Sequence, residues 1–115
     1  ATTMIGVGEA FNLGSNLGLD SEKLFEILST STGSCWAINS YCPIKGIGPK
    51  SPADNDFQPG FSVDLMHKDL SIALKAIERT KTQAPFGTKA QENYKKMVDD
   101  EKGSLDFSAI TIFNK

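Results

Sequence analysis

The sequence predicts an all-α domain of five or six helices. Apolar residues recur at three- to four-residue spacing in several segments, no segment alternates with the two-residue period of a half-buried strand, and the prolines fall between those segments or at a helix start. No internal repeat is visible, so residues 1–115 read as one domain.

The first segment, 1–18, reads as a helix with Met4, Val7, Ala10, Phe11, Leu13 and Leu17 on one broad side. Gly6 and Gly8 lower its helix propensity, which is explained if another backbone packs closely there. The string GVGEAF lacks the third small residue and the preceding strand of a dinucleotide-binding loop. Asp20 is an N-cap for a helix through about Ser31, with Leu24, Phe25, Ile27 and Leu28 as its core contacts. Gly33 breaks the pattern, and Trp36–Tyr41 forms a short further helix.

Residues 42–60, CPIKGIGPKSPADNDFQPG, hold four of the five prolines and read as a long loop of the functional kind. A helix from Phe61 to about Lys81 follows. Pro85 opens the next helix, whose buried stripe is Phe86, Ala90, Tyr94, Met97 and Val98, and Gly103 ends it. Asp106 caps a last short helix holding Phe107, Ile110 and Phe113.

With 115 residues the chain can bury about two-thirds of its extended surface. A net charge of −2 and the lack of a dense Lys/Arg stripe point away from nucleic acid. The apolar runs are shorter than the ~20 residues a membrane span needs. Cys35 and Cys42 form no CxxC and the chain has a single histidine, so two free thiols in a reducing compartment are expected rather than a metal set or a bridge. The chain starts mid-helix, without a cap or initiator methionine, as a fragment would; any targeting peptide then lies outside it.

The sharpest chemical signal is FSVDLMHKDLSIAL, residues 61–74. On a helical wheel His67, Ser71, Asp64, Lys75 and Glu78 share a polar arc, which makes His67 a surface histidine. Leu65, Met66, Leu70, Ile72, Ala73, Ala76 and Ile77 fill the other side, with Asp69 inside that apolar arc and Lys68 at its edge. A charge in such a place needs a partner or a use. One reading is a salt bridge, with Asp64 one turn before Lys68; the other is a lysine presented to an anionic or polar ligand and held by Asp69. Trp36 and Tyr41 flank the turn into the long loop and suit the wall of a pocket. Asp99, Asp100 and Glu101 with Lys95, Lys96 and Lys102 read as a solvated helix face. There is no Ser/His/Asp set, carboxylate pair or phosphate loop.

The ordered strings MIGVGEAFNLGSNLGLD, GSCW, YCPIKG, GF…LMHKDL and LDFSAI, spread over nearly the whole chain, resemble the C-terminal domain of the 3-hydroxyisobutyrate dehydrogenases, within the wider β-hydroxyacid dehydrogenase family. The resemblance implies a helical bundle like the C-terminal domain of 6-phosphogluconate dehydrogenase-like enzymes. It also implies an N-terminal Rossmann domain, absent from this chain, that binds NAD or NADP. The family reaction oxidises 3-hydroxyisobutyrate to methylmalonate semialdehyde in valine breakdown, hydride passing to the nicotinamide and the hydroxyl proton to a lysine. That lysine belongs to a K-x-x-x-N motif upstream of Met4, so the piece alone is expected to be inactive.

Carried over residue by residue, Lys68 corresponds to the lysine that reaches the cofactor and Asp69 to the aspartate beside it in the cleft. Trp36 and Tyr41 correspond to aromatics walling the substrate pocket, and Phe61 to the phenylalanine of the GF step. The sequence departs from the family pattern at Cys42, commonly asparagine, and at Ile44-Lys45, which bears on substrate preference. Related members acting on serine, glyoxylate-type or tartronate-type substrates are the nearest alternative, and a stand-alone helical interaction module is the alternative from another class. Homo-oligomers are expected, with the mitochondrial matrix as compartment for a eukaryotic source and the cytoplasm for a bacterial one.

Overall fold

The computed structural model describes residues 1–114, and its regular elements are helical. Six α-helices run in order: α1 Thr2–Asn16, α2 Ser21–Thr30, α3 Trp36–Asn39, α4 Val63–Thr80, α5 Pro85–Asp99 and α6 Ile110–Phe113. Two short 3₁₀ turns, Pro52–Asn55 and Phe107–Ala109, complete the set. The expected all-α architecture and helix order hold.

The helix starts follow the predicted caps. Asp20 accepts the amide of Lys23, Asp106 accepts that of Ser108, and Pro85 occupies the first turn of α5, where a missing N–H costs nothing. At the start of α4, Ser62 Oγ accepts the Leu65 amide, while the amides of Val63 and Asp64 go to the carbonyls of Leu105 and Gly103. The stretch that follows α5 thus anchors the first turn of α4.

The 42–60 loop is ordered by its own hydrogen bonds. Ser51 and Asp54 form a capping box around the Pro52–Asn55 turn, and the Asp54 carboxylate also accepts the Gly46 amide at 2.7 Å. Those two amides, Ser51 first, hold the Asp54 carboxyl below the usual carboxylate range. Cys42 lies fully buried in the core with its carbonyl accepting Ser51 Oγ at 2.6 Å, so this departure from the family pattern is a packing position. Both cysteines are free thiols.

The core gathers Met4, Val7 and Phe11 of α1, Ala37 and Ile38 of α3, Val63, then Tyr94 and Met97 of α5, and Ile110 of α6. Several predicted core residues lie elsewhere. Leu13, Leu17, Ile27 and Phe86 are exposed, Phe86 the most at 76%. Each sits at a helix end or on a side that no other element covers, and hydrophobicity alone does not reveal which side is covered. Of Gly6 and Gly8, Gly8 takes the close backbone approach, from Thr111, whereas Gly6 has nothing near it.

Candidate functional site

α4 packs chiefly on α5, and this decides which of its faces is inside. Val63 is buried, and Met66, His67, Leu70, Ser71, Leu74 and Ile77 are partly covered. The opposite face carries Leu65, Lys68, Asp69, Ile72, Ala73 and Ala76, all exposed. This corrects the wheel in two ways. Half of the predicted apolar arc faces outward, so Asp69 is not sunk in a core. His67 and Ser71 face the bundle instead of solvent, with His67 Nε2 3.2 Å from the Gln91 amide nitrogen and Ser71 Oγ donating to the His67 carbonyl.

Lys68 Nζ stands 3.3 Å from Asp69 Oδ1, the two side chains being 60% and 53% exposed. The lysine pairs with its neighbour and not with Asp64, which lies over Gly103. An ion pair this exposed contributes under about 1 kcal/mol, so stability does not explain the two residues. They stand in the middle of an apolar strip, Leu65 to Ile72, that is exposed among the described residues.

Trp36, Tyr41 and Phe61 come together around Phe107, which the sequence marked only as helix core. Trp36 stacks on Tyr41 with ring centroids 4.7 Å apart, Tyr41 on Phe107 at 5.6 Å, and Phe61 meets Phe107 edge-on at 6.0 Å. Trp36 remains 59% exposed. It borders a cavity of about 410 Å³ walled by Met4, Cys35, Trp36, Ala37, Met66 and Phe107. Tyr41 stands behind Trp36 as its backing. Lys68 and Asp69 do not line this cavity; they lie on the same helix as Met66, which does.

Asp106 caps the 3₁₀ turn as expected and does more. It is fully buried, and its Oδ2 accepts Tyr41 Oη at 2.8 Å, the Gly60 amide at 3.0 Å and the Phe61 amide at 3.1 Å. Its Oδ1 accepts the amide and hydroxyl of Ser108 at 2.9 and 2.6 Å. Gly60 is required by this crowding, because a Cβ there would lie 2.6 Å from Tyr41 Oη. Burial, and then the hydrogen bond to Asp106, push the Tyr41 phenol well above its ordinary range. The sequence signal for Asp106 was its place in LDFSAI, but its convergence on residues 45 to 65 positions away is invisible in a local pattern.

A second cavity of about 470 Å³ lies between α1, the long loop and α6, beside Phe11, Pro43, Ile44, Phe57 and Ile112, and holds none of the predicted site residues. Among the described residues no group of three His, Cys, Asp or Glu side chains converges as a metal site, and no helix is long and apolar enough to cross a membrane.

Residues 1–113 match the family model described as NAD-binding of NADP-dependent 3-hydroxyisobutyrate dehydrogenase. The chain is 46% identical over 110 residues to a probable 3-hydroxyisobutyrate dehydrogenase of Mycobacterium bovis, covering 96% of this chain and 37% of that protein. It is 39% identical over 113 residues to the mitochondrial 3-hydroxyisobutyrate dehydrogenase of Bos taurus, covering 98% of this chain and 34% of that one. Among solved structures, Mycobacterium tuberculosis 3-hydroxyisobutyrate dehydrogenase with L-serine superposes with a TM-score of 0.95 at 43% identity, over 99% of this chain and 39% of that one. A Salmonella typhimurium relative at 18% identity and TM-score 0.82 shares the fold. The chain therefore spans little more than a third of the length of the relatives it matches.

Proposed function

The chain belongs to the 3-hydroxyisobutyrate dehydrogenase family, and from that premise we propose that it is the helical, substrate-facing half of a two-domain NAD- or NADP-dependent enzyme. The proposed reaction is oxidation of 3-hydroxyisobutyrate to methylmalonate semialdehyde in valine breakdown. The piece alone is inactive on this reading, because the lysine that takes the hydroxyl proton lies upstream of it.

The observation that carries the proposal is the outward face of α4: an exposed ammonium, Lys68, in an apolar strip that the described residues leave exposed. A dinucleotide fits that donor set, since its phosphates and amide are the anionic and polar groups an exposed lysine meets, while Leu65 and Ile72 suit the flank of a docked Rossmann domain. When bound, the cofactor supplies the hydride acceptor. In this chain Lys68 contacts it and Asp69 holds the ammonium in place. Trp36, backed by Tyr41, walls the cavity for the hydroxyacid, and Phe61 supports that wall through Phe107.

A second reading within the family is favoured by the L-serine that accompanies the Mycobacterium tuberculosis enzyme: a hydroxyacid dehydrogenase whose preferred substrate carries a polar substituent. Assay of the two-domain protein with NAD and NADP against 3-hydroxyisobutyrate, L-serine and tartronate-type acids decides between them. Preferential turnover of 3-hydroxyisobutyrate supports the proposal; preference for serine favours the second reading; no turnover of any hydroxyacid overturns both.

We further propose homo-oligomers, which would cover the exposed Leu13, Leu17, Leu19 and Ile27 of α1, α2 and the turn between them. Mitochondrial relatives support a matrix location for a eukaryotic source and bacterial relatives a cytoplasmic one.

A further inference from the structure

We infer that Asp106 is a positioning residue for the hydroxyacid cavity, one buried carboxylate holding both the Trp36–Tyr41 stack and the Gly60–Phe61 step in register with the first turn after it. The inference rests on the dehydrogenase reading for what the cavity receives, and on geometry alone for how its wall is held.

Three donors converge on Oδ2 and two on Oδ1, five in all, which occupies every one of the roughly four lone-pair sites of one carboxylate. Among the described residues Asp106 enters no ion pair, so these donors are what offset its burial. They come from three stretches far apart in the chain: the turn after α3, the end of the long loop, and the 3₁₀ turn before α6. The Asp106 amide also donates to the Phe57 carbonyl at 2.8 Å, and the Phe107 amide to that of Phe61 at 2.8 Å.

Tyr41 transmits this to the cavity. Its hydroxyl hydrogen is committed to Asp106, so Tyr41 has no proton to offer a substrate and works through its ring, packed between Trp36 and Phe107. Trp36 is the member that borders the cavity. Asp106 therefore acts through Tyr41 on the angle of the indole. An amide in place of the carboxylate would turn its NH₂ toward donors on one side or the other, so only the carboxylate satisfies both sets.

The test uses the two-domain protein with Tyr41→Phe, Asp106→Asn and the double variant. Tyr41→Phe is expected to raise KM for the hydroxyacid about fivefold, to lower the thermal midpoint because one donor that offsets the burial of Asp106 is lost, to leave KM for NAD(P) nearly unchanged, and to have little further effect in the Asp106→Asn background. The crystal structure of Tyr41→Phe is expected to show the Trp36 indole shifted from its wild-type place. An unchanged hydroxyacid KM with an unmoved indole overturns the inference, as does full additivity in the double variant. If Asp106→Asn does not fold, Tyr41→Phe decides by KM and indole position. A wild-type protein without dehydrogenase activity sinks the functional reading alone, and the indole position still decides the positioning role.

Discussion

Gly8 of α1 lies so close to Thr111 of α6 that a Cβ built on it would sit 2.6 Å from Thr111 Oγ1 and 3.2 Å from Thr111 Cα. Gly6, two residues earlier on the same helix, has nothing within 4 Å. The pair predicts opposite signs. Gly8→Ala should destabilise by roughly 1–3 kcal/mol, because backbone as well as side chain must move, whereas Gly6→Ala should stabilise by up to about 1 kcal/mol through helix propensity. Urea unfolding midpoints of the two variants check this; two shifts of the same sign would contradict it.

Alkaline stability is expected to depend on two phenols. Burial pushes Tyr41 and Tyr94 above the ordinary value, with the Asp106 carboxylate adding to both. A raised folded value favours the neutral phenol, so this stabilisation is complete below the unfolded value of about 10 and is lost as pH rises through the folded values above it. The unfolding midpoint should fall more steeply with pH above about 10 in the wild type than in Tyr41→Phe. Equal slopes in the two proteins would contradict the assignment.

The cysteines should differ in reactivity. Cys42 is fully buried and burial pushes its thiol up, while Cys35 is partly exposed on the cavity wall. Iodoacetamide under native conditions should label Cys35 and spare Cys42, and a bound hydroxyacid should slow the labelling of Cys35. Peptide mass spectrometry reads both. Equal labelling, or no protection by a hydroxyacid that the enzyme turns over, would contradict the placement of the cavity.

Helix order and most helix starts were legible because they are local: a cap such as Asp20 or a proline such as Pro85 acts on amides within one turn. The inward side of α4 was not legible. A wheel sorts residues by hydrophobicity, but Leu65 and Ile72 are apolar and exposed, while His67 and Ser71 are polar and lie toward α5. An exposed apolar strip such as Leu65 and Ile72 looks like core in the sequence. Trp36 and Tyr41 were singled out as a pair and Phe61 through the family resemblance, yet Phe107 and Asp106, which join them, have roles set by contacts across 45 or more positions. The 3₁₀ turn at Pro52–Asn55 was hidden within proline-rich composition, although Ser51 and Asp54 carry the spacing of a capping box.

The Lys68–Asp69 pair should matter little to folding. Asp69→Asn should change the unfolding free energy by less than about 1 kcal/mol, since both side chains are more than half exposed. A larger loss in urea titration would mean that the pair has a structural duty in the two-domain protein.

The role of Lys68 is tested most directly by the Michaelis constant for the nicotinamide cofactor in Lys68→Ala of the two-domain enzyme. Loss of one charged contact should raise it about tenfold, with the unfolding midpoint unchanged. A cofactor KM equal to that of the wild type would contradict the account.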